Sequence, residues 1–463
     1  MTPYVSTRGA AARTDFTGAL LGGLATDGGL YVPDAWPRLR DIGALRGAPF
    51  GEVVAAVLAA LGADEAQAAV ARGAYARFAH PAVAPLVQTG PQDWILELHH
   101  GPTLAFKDVA MQLLGRLFAQ ALARSGTRLS VVCATSGDTG GAAAAALADQ
   151  PNTTLTILFP EGRISEVQRR FMTTTGAGNV ACLAVDGTFD DCQAIVKALF
   201  ADESFRAEVS LAAVNSINWA RIAAQAAYYV AAALALSAPG SAPVSFSVPT
   251  GNFGDAFAGV LAKRMGAPVG RIVVATNEND VLDRALRTGE VAPRPVRATH
   301  APSMDIQVAS NFERMIWEAS GRDANIVSDL MSRQSRSETF SLPPALRGRI
   351  AEEIETHAVD DEAGAARMRE TLRTTGLLID PHTAIGAEAA ARARAGGLEG
   401  PLVTLATAHA AKFPSAVRAA TDRTPDLPPR REGLMDAEET MTRVPAATDA
   451  VARAIRDLHA RAG

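Results

Sequence analysis

One lysine, two glycine-rich turns and a set of hydroxyl, amide and acidic side chains have types and spacings in this chain that could do chemistry. In the stretch LHHGPTLAFKDVAMQLLGRLF, which begins at Leu98, Lys107 follows Thr-Leu-Ala-Phe and has apolar neighbours until Asp108. The residues after it have helical spacing: Val109, Leu113 and Leu117 share one stripe, Ala110, Leu114 and Phe118 the next, and Gly126 is placed to cap the end. Lys107 therefore starts a helix. There the helix dipole disfavours a cation and, with partial burial, lowers the pKa of an amine. An amine so placed suits nucleophilic or Schiff-base chemistry. The plainer use of such a lysine is to pair with Asp108 or to reach water along its stem.

Two strand-to-helix junctions are rich in glycine: CATSGDTGGAAAAAL around Gly137 and SVPTGNFGDAFAGVL around Gly251. Free backbone N–H groups and the positive end of a helix dipole converge at such junctions, so a phosphate or carboxylate can bind without a dedicated arginine. Either turn alone is equally well explained as an ordinary tight connection. Neither contains G-x-G-x-x-G, and the chain has no Gly-Lys dipeptide, so the dinucleotide and P-loop patterns are both missing.

The elements that must position these groups follow from the pattern on either side of them. With 463 residues and 48% apolar composition, two or three domains are expected. Residues 50–80 have helical spacing, with Val54, Leu58 and Leu61 on one face, and read as part of a small helical cap. After them LSVVCAT, TTLTILFP and NVACLAVDG alternate with helical stretches. VSFSVPT, RIVVATN and LVTLATAHAAKFPSAV do the same in a second set, with one helix expected from Asp255 to Met265. That alternation implies βαβ units and parallel sheets in two α/β lobes. TDRTPDLPPRREG breaks the pattern, so the body should end near residue 422 and a helical tail should follow.

Composition excludes several classes. The net charge is -5 and no block of five or more Lys/Arg residues occurs, so the footprint of a general nucleic-acid binder is missing. Cys133, Cys182 and Cys192 have neither zinc nor paired-disulfide spacing, which favours a reducing compartment, and the histidines lack ligand spacing, so no metal is expected. The N-terminus has no signal-peptide core and reads as mature, cytoplasmic sequence. The alanine-rich run after Ile222 falls below the roughly 18–20 strongly apolar residues that span a bilayer, and reads as a buried helix.

The segment HGPTLAFKD closely resembles the Schiff-base lysine segment of the threonine synthase family, within the tryptophan-synthase-like (fold type II) pyridoxal-phosphate (PLP) enzymes. The resemblance covers almost the whole chain, through YVSTRG at Tyr4, DGGLYVPDAWP at Asp27, TSGDTG at Thr135, PEGRIS at Pro160, VNSINWARI at Val214, GNFGD at Gly251, SMDI at Ser303, SNFER at Ser310 and TAHAAKF at Thr407. It implies two doubly wound α/β lobes with a small helical N-terminal segment. The implied division is 1–90 as a helical cap, 91–422 as a two-lobed catalytic body with the PLP cleft between its lobes, and 423–463 as a helical tail packed on the body.

Carried over by position, the resemblance makes Lys107 the lysine that carries PLP. Gly251, Asn252, Phe253, Gly254 and Asp255 would hold the cofactor phosphate, Asp138 would lie near the 3'-hydroxyl, and Thr407 would face the pyridine nitrogen, with Thr404 and His409 as neighbours in the same strand end. Thr103, Ser136, Gly137 and Thr139 would meet the substrate, the last three at its α-carboxylate. The family's substrate, O-phospho-L-homoserine, carries its own phosphate and needs a second anion site, for which Asn215, Ser216 and Arg221 are the candidates. Ser216 is a possible helix N-cap there, and the apolar surroundings of Arg221 point to a buried or cleft-lining place. One departure is Ala410, where the family more often has proline; its absence should loosen the backbone near Thr407.

The implied reaction gives L-threonine and phosphate, with Lys107 as general base at Cα and then Cβ. The expected protein is a cytoplasmic lyase of threonine biosynthesis, monomer or homodimer, with neither nucleic acid nor membrane as partner. Alternatives are a phospho-lyase that acts on another phosphorylated amino acid and releases a keto acid and ammonia, a serine or threonine dehydratase, and a non-catalytic PLP-binding protein.

Overall fold

The alternation of β-branched runs and helical stripes between residues 129 and 213 folds as a parallel sheet. Leu129–Ala134 lies between Thr153–Pro160 and Leu211–Ala213, and beyond Thr153–Pro160 come Val180–Asp186 and Thr442–Pro445, every pairing parallel. Thr153–Pro160 is buried at all eight positions, as a strand covered on both faces must be. The crossovers are the helices Asp138–Leu147, Glu166–Thr173 and Phe189–Ala201. In this computed structural model, which describes residues 2–214, 216–238, 240–292 and 294–461, the sheet belongs to one of two units: Ala74–Arg77, Gly101–Asn215 and Asp426–Gly463.

The C-terminal segment is more than helical. Thr442–Pro445 is a strand whose register against Val180–Asp186 sets Thr442 opposite Leu183. The helix Thr448–Arg461 then buries Val451, Ala452, Ile455 and Leu458, the first three in a cluster with Leu183, Val185, Cys192, Ile195 and Leu199. A four-residue edge strand that ends in proline carries almost no periodic signal, so only its pairing reveals it.

The other unit comprises Met1–Gly73, Phe78–His100 and Ser216–Pro425. Its six-stranded sheet runs in the order Ile354–Ala358, Val269–Thr276, Val244–Pro249, Leu402–Ala406, Asp93–Glu97, Leu86–Gln88, and only the last pairing is antiparallel. The alanine-rich helix Trp219–Leu236 is buried along most of its length, as is Gly254–Arg264, which begins one residue before the expected Asp255. Among the described residues no helix is long and apolar enough to cross a membrane.

The N-terminal segment is helical as expected but differs in two details. The run over 50–80 is broken into Phe50–Ala60 and Glu65–Gly73 by a turn in which Gly62 takes φ +92°. A two-stranded antiparallel ribbon, Tyr4–Ser6 with Tyr31–Pro33, precedes it. Tyr4 anchors that ribbon: its hydroxyl donates to Leu61 O at 2.8 Å and its ring meets the Trp219 ring edge-on at 5.8 Å.

Candidate functional site

The helix that carries the lysine starts at Lys107 and ends at Ser125, with Gly126 as a left-handed C-cap at φ 66°. The Asp108 carboxylate closes the turn that precedes the helix. Asp108 is fully buried and turns back, so that Thr103 donates to it from both its N–H and its hydroxyl at 2.7 Å. Gly101 has no Cβ because one would overlap the Asp108 side chain. The turn is further held by Leu104, which sits at φ 61° with 0% exposure in a cluster with Val167, Phe171 and Leu434. A buried leucine in the left-handed region costs of order 1–3 kcal/mol and persists only because its surroundings over-determine it.

Lys107 Nζ lies 3.3 Å from Asp138 Oδ2. The contact holds the amine toward the start of a second helix. Asp138 is the first residue of the helix Asp138–Leu147, and its other oxygen accepts from Gln168 Nε2 at 2.9 Å. Gln168 is itself fixed by a capping box with Ser165, which accounts for the PEGRIS segment: its serine starts the helix whose third residue holds Asp138. Gly137, at φ 133°, lies where a Cβ would sit 2.5 Å from the Gln168 amide carbon. The strand-to-helix turn is closed by Thr135, whose hydroxyl oxygen accepts from Gly137 N at 2.9 Å and Gly140 N at 3.0 Å. Lys107, Asp138, Ser136, Gly137, Thr139 and Thr103 thus all belong to one unit.

In the other unit, Val244–Pro249 and Leu402–Ala406 are parallel neighbours, so their C-terminal ends bring the 251–255 loop and Thr407 to the same edge of the sheet. Gly251 passes Ser303 O so closely that a Cβ would lie 2.9 Å from it, and Gly254 has Asn311 Nδ2 at 3.1 Å from the corresponding point. Phe253 adopts φ 62° at the N-cap of Gly254–Arg264, locked by its ring against Phe312 at 5.3 Å. The first N–H groups of a helix have no partner within it, so this start presents donors and a positive dipole end. The Asp255 carboxylate accepts from both the Tyr228 and Tyr229 hydroxyls. Burial and that carboxylate hold both tyrosines well above their ordinary pKa, as neutral donors.

Ser303, in the SMDI segment, is held from behind. Its N–H donates to His382 Nε2 at 3.2 Å, and His382 Nδ1 lies 2.7 Å from Asp380 Oδ2, which makes Nδ1 the protonated nitrogen. Burial would raise the Asp380 carboxyl, but the hydrogen bonds from His382 and Thr383 outweigh it and hold it below the usual range.

The segment expected to take a second anion is corrected in one respect. The N-cap of Trp219–Leu236 is Asn218, not Ser216: Asn218 accepts from Ala220 N at 3.0 Å while its Nδ2 donates to Leu20 O at 2.8 Å. Both residue types cap well, and the second bond selects the asparagine. Ser216 lies two residues earlier, Arg221 is in the first helical turn and 3% exposed, and Asn215 lies outside the described residues. Thr407 is 5% exposed just beyond its strand. Thr404 places its methyl where a Cβ on Gly386 would meet it at 3.3 Å, inside the sheet-helix packing. His409 is engaged too, since its Nδ1 accepts from Ala411 N and its ring lies 5.2 Å from that of His99. The turn at Ala410 is closed without proline by Lys412 N donating to His409 O at 3.0 Å.

Sequence reasoning missed Asn311, Arg314, Gln168 and the Asp380–His382 pair. Gln168 had a signal in Ser165-x-x-Gln168. Asn311 and Arg314 stand within the SNFER string, which does not say which distant carbonyls they reach, and His382 gave no sign that it would meet Ser303, 79 residues away.

Comparison with known proteins agrees with this geometry. Residues 78–408 match the family model described as pyridoxal-phosphate dependent enzyme, residues 3–72 the threonine synthase N terminus, and residues 383–455 the threonine synthase C-terminal model. A threonine synthase from Pseudomonas aeruginosa is 46% identical over 96% of this chain and 95% of its own length. The crystal structure of PLP-bound threonine synthase from Brucella melitensis superposes with a TM-score of 0.95 at 48% identity, covering 99% of this chain and 100% of that one. The human protein named threonine synthase-like 2 is more distant, at 34% identity over 95% of this chain and 93% of its own.

Proposed function

Because the chain belongs to the threonine synthase family of pyridoxal-phosphate enzymes, and is a lyase of that kind, we propose that its substrate is O-phospho-L-homoserine. With water this gives L-threonine and phosphate by γ-elimination and β-addition, the last step of threonine biosynthesis. The observation that carries the reading is the lysine amine beside Asp138 in a chain that also has two anion-suited helix starts, at Gly254 and at Trp219 with the buried Arg221. A structural lysine needs neither.

The residues fit PLP. Gly251 and Gly254 let the loop pack closely on Ser303 O and Asn311 Nδ2, which a Cβ would meet at 2.9 and 3.1 Å, and the helix start beyond them supplies N–H donors. Gly251, Asn252, Phe253, Gly254 and the N–H of Asp255 would hold the cofactor phosphate, Lys107 would carry the cofactor, Asp138 would lie near the 3'-hydroxyl and Thr407 would face the pyridine nitrogen. When bound, PLP supplies the electron sink that acidifies the bonds beside the substrate amine.

The chain's own groups do the rest. With substrate in place, the Lys107 amine would take the proton from Cα and then one from Cβ, and Asp138 orients that amine. Ser136, Gly137 and Thr139, with Thr103, hold the substrate end that carries the α-carboxylate. Ser216 and Arg221, with Asn215, hold the γ-phosphate, which leaves from Cγ before water adds at Cβ. The Thr407 hydroxyl would offer that nitrogen a neutral hydrogen-bond partner in place of an aspartate's charge, and so a gentler electron sink.

The remaining parts of the reading are the division into 1–90, 91–422 and 423–463, a cytoplasmic location supported by three buried cysteines that form no disulfide, and a monomer or homodimer. Purified protein given O-phospho-L-homoserine should release phosphate and threonine in equal amounts. A keto acid without threonine would replace this reading with a phospho-lyase.

A further inference from the structure

Asn311 and Arg314 belong to neither anion-suited loop, yet both loops end on them. Asn311 Nδ2 donates to Ser216 O at 3.0 Å and to Asn252 O at 3.2 Å, and the Asn311 backbone N–H reaches the same Asn252 oxygen at 3.0 Å. An amide nitrogen has two hydrogens, so one side chain spans the two loops with both. The Asn311 side-chain oxygen accepts from Arg314, whose guanidinium also donates to Ile217 O at 2.7 Å and to Tyr31 O at 3.1 Å. Asn311 and Arg314 are each 0% exposed, and the guanidinium lies 5.5 Å from the Trp219 ring.

Segments far away in sequence brace this pair. Tyr31 comes from the DGGLYVPDAWP stretch, while Thr7 and Arg8, from YVSTRG, grip the neighbouring Glu313 at 2.6 Å and 2.9 Å. Phe312, between them, carries the ring that locks Phe253. These are the N-terminal motifs for which the reaction itself has no use.

We propose that Asn311, oriented by Arg314, is a positioning residue that fixes the main chain of the cofactor-phosphate loop and of the substrate-phosphate segment together, so that filling one site orders the other. The proposal rests on the reading above for what the two loops bind. A shared amide gives such coupling a physical route: ordering Asn252 O against Nδ2 fixes the side chain, and the fixed side chain orders Ser216 O.

Hydrogen exchange of the wild-type protein, with and without PLP, tests this without any substitution. PLP should slow exchange over residues 251–257 and also, by about tenfold, over residues 216–222. No change at 216–222 would overturn the coupling. The variant Asn311→Asp keeps the shape and the Arg314 contact but turns a donor that spans two carbonyls into an acceptor facing them. It should confine the PLP effect to 251–257, weaken PLP binding about tenfold and raise KM for O-phospho-L-homoserine about as much. PLP affinity and KM at wild-type values would show that Asn311 is not a positioning residue. Exchange and PLP binding involve no substrate, so an error in the substrate assignment leaves them intact and appears only as missing threonine in the product assay.

Discussion

Lys107 Nζ stands 3.3 Å from Asp138 Oδ2, and Gln168 holds the other Asp138 oxygen at 2.9 Å. The amine is thus aimed by a carboxylate that is itself aimed. Lys107→Ala should abolish turnover and the visible absorption of lysine-bound PLP that borohydride removes; retained turnover would refute the mechanism. Asp138→Asn keeps the shape but exchanges a charged acceptor for a neutral one. Its kcat should fall about ten- to a hundredfold, by analogy with the loss of a hydrogen bond to a charged group, at nearly unchanged Tm.

At Gly251 the close approach is to backbone, not to a flexible side chain. A Cβ there would lie 2.9 Å from Ser303 O, and Ser303 is tied to His382. Gly251→Ala must therefore push the loop outward. PLP titration of the apoprotein should show affinity reduced at least tenfold, about 1.4 kcal/mol or more, and unaltered affinity would mean that the loop does not hold the cofactor phosphate.

His99 sets an acid limit within its own unit. Burial, aided by the charge of His409, pushes its pKa down to about 4, against the opposing pull of Glu97 and Asp380. Because the folded value lies below the unfolded one of about 6.5, the unfolded chain binds more protons between those values. Its contribution to stability is complete above about pH 6.5 and is lost as pH falls toward 4. The Tm of the wild type should drop between pH 7 and pH 5, and His99→Gln should flatten that drop; parallel curves would count against this assignment.

Glu439 makes the matching statement for the C-terminal segment. Its hydrogen bonds with Arg169, at 2.8 and 2.9 Å, together with Thr173, hold it down to about 2. The stability it adds is present above the ordinary glutamate value and is lost as pH falls through that range toward 2. At neutral pH Glu439→Gln should cost about 1 kcal/mol in urea unfolding, with the gap to wild type closing below about pH 4. A gap that stays constant with pH would show that the pair contributes through packing, not charge.

Much of the outline was legible because it is written in local patterns. The strands LSVVCAT, TTLTILFP, VSFSVPT and RIVVATN and their following helices come from period and length alone. The start of a helix at Lys107 and its end at Gly126 follow from the same rules. The two glycine-rich junctions could be recognised as anion-suited since that property belongs to backbone and dipole, which travel with the segment. The motifs that resemble threonine synthase were likewise contiguous strings.

What the sequence could not decide is which distant group each polar side chain answers to. Asp108 closes the turn at Thr103, and Lys107 reaches Asp138, 31 residues away. Asn218 took the cap expected at Ser216 because Leu20 O, 198 residues distant, satisfies its other end. Asn311 reaches Ser216 across 95 residues, and the strand Thr442–Pro445 exists only through its partner Val180–Asp186. Local propensity carries no information about such pairs. A buried donor or acceptor must find a partner wherever the packed chain brings one, and that choice is made by the tertiary structure.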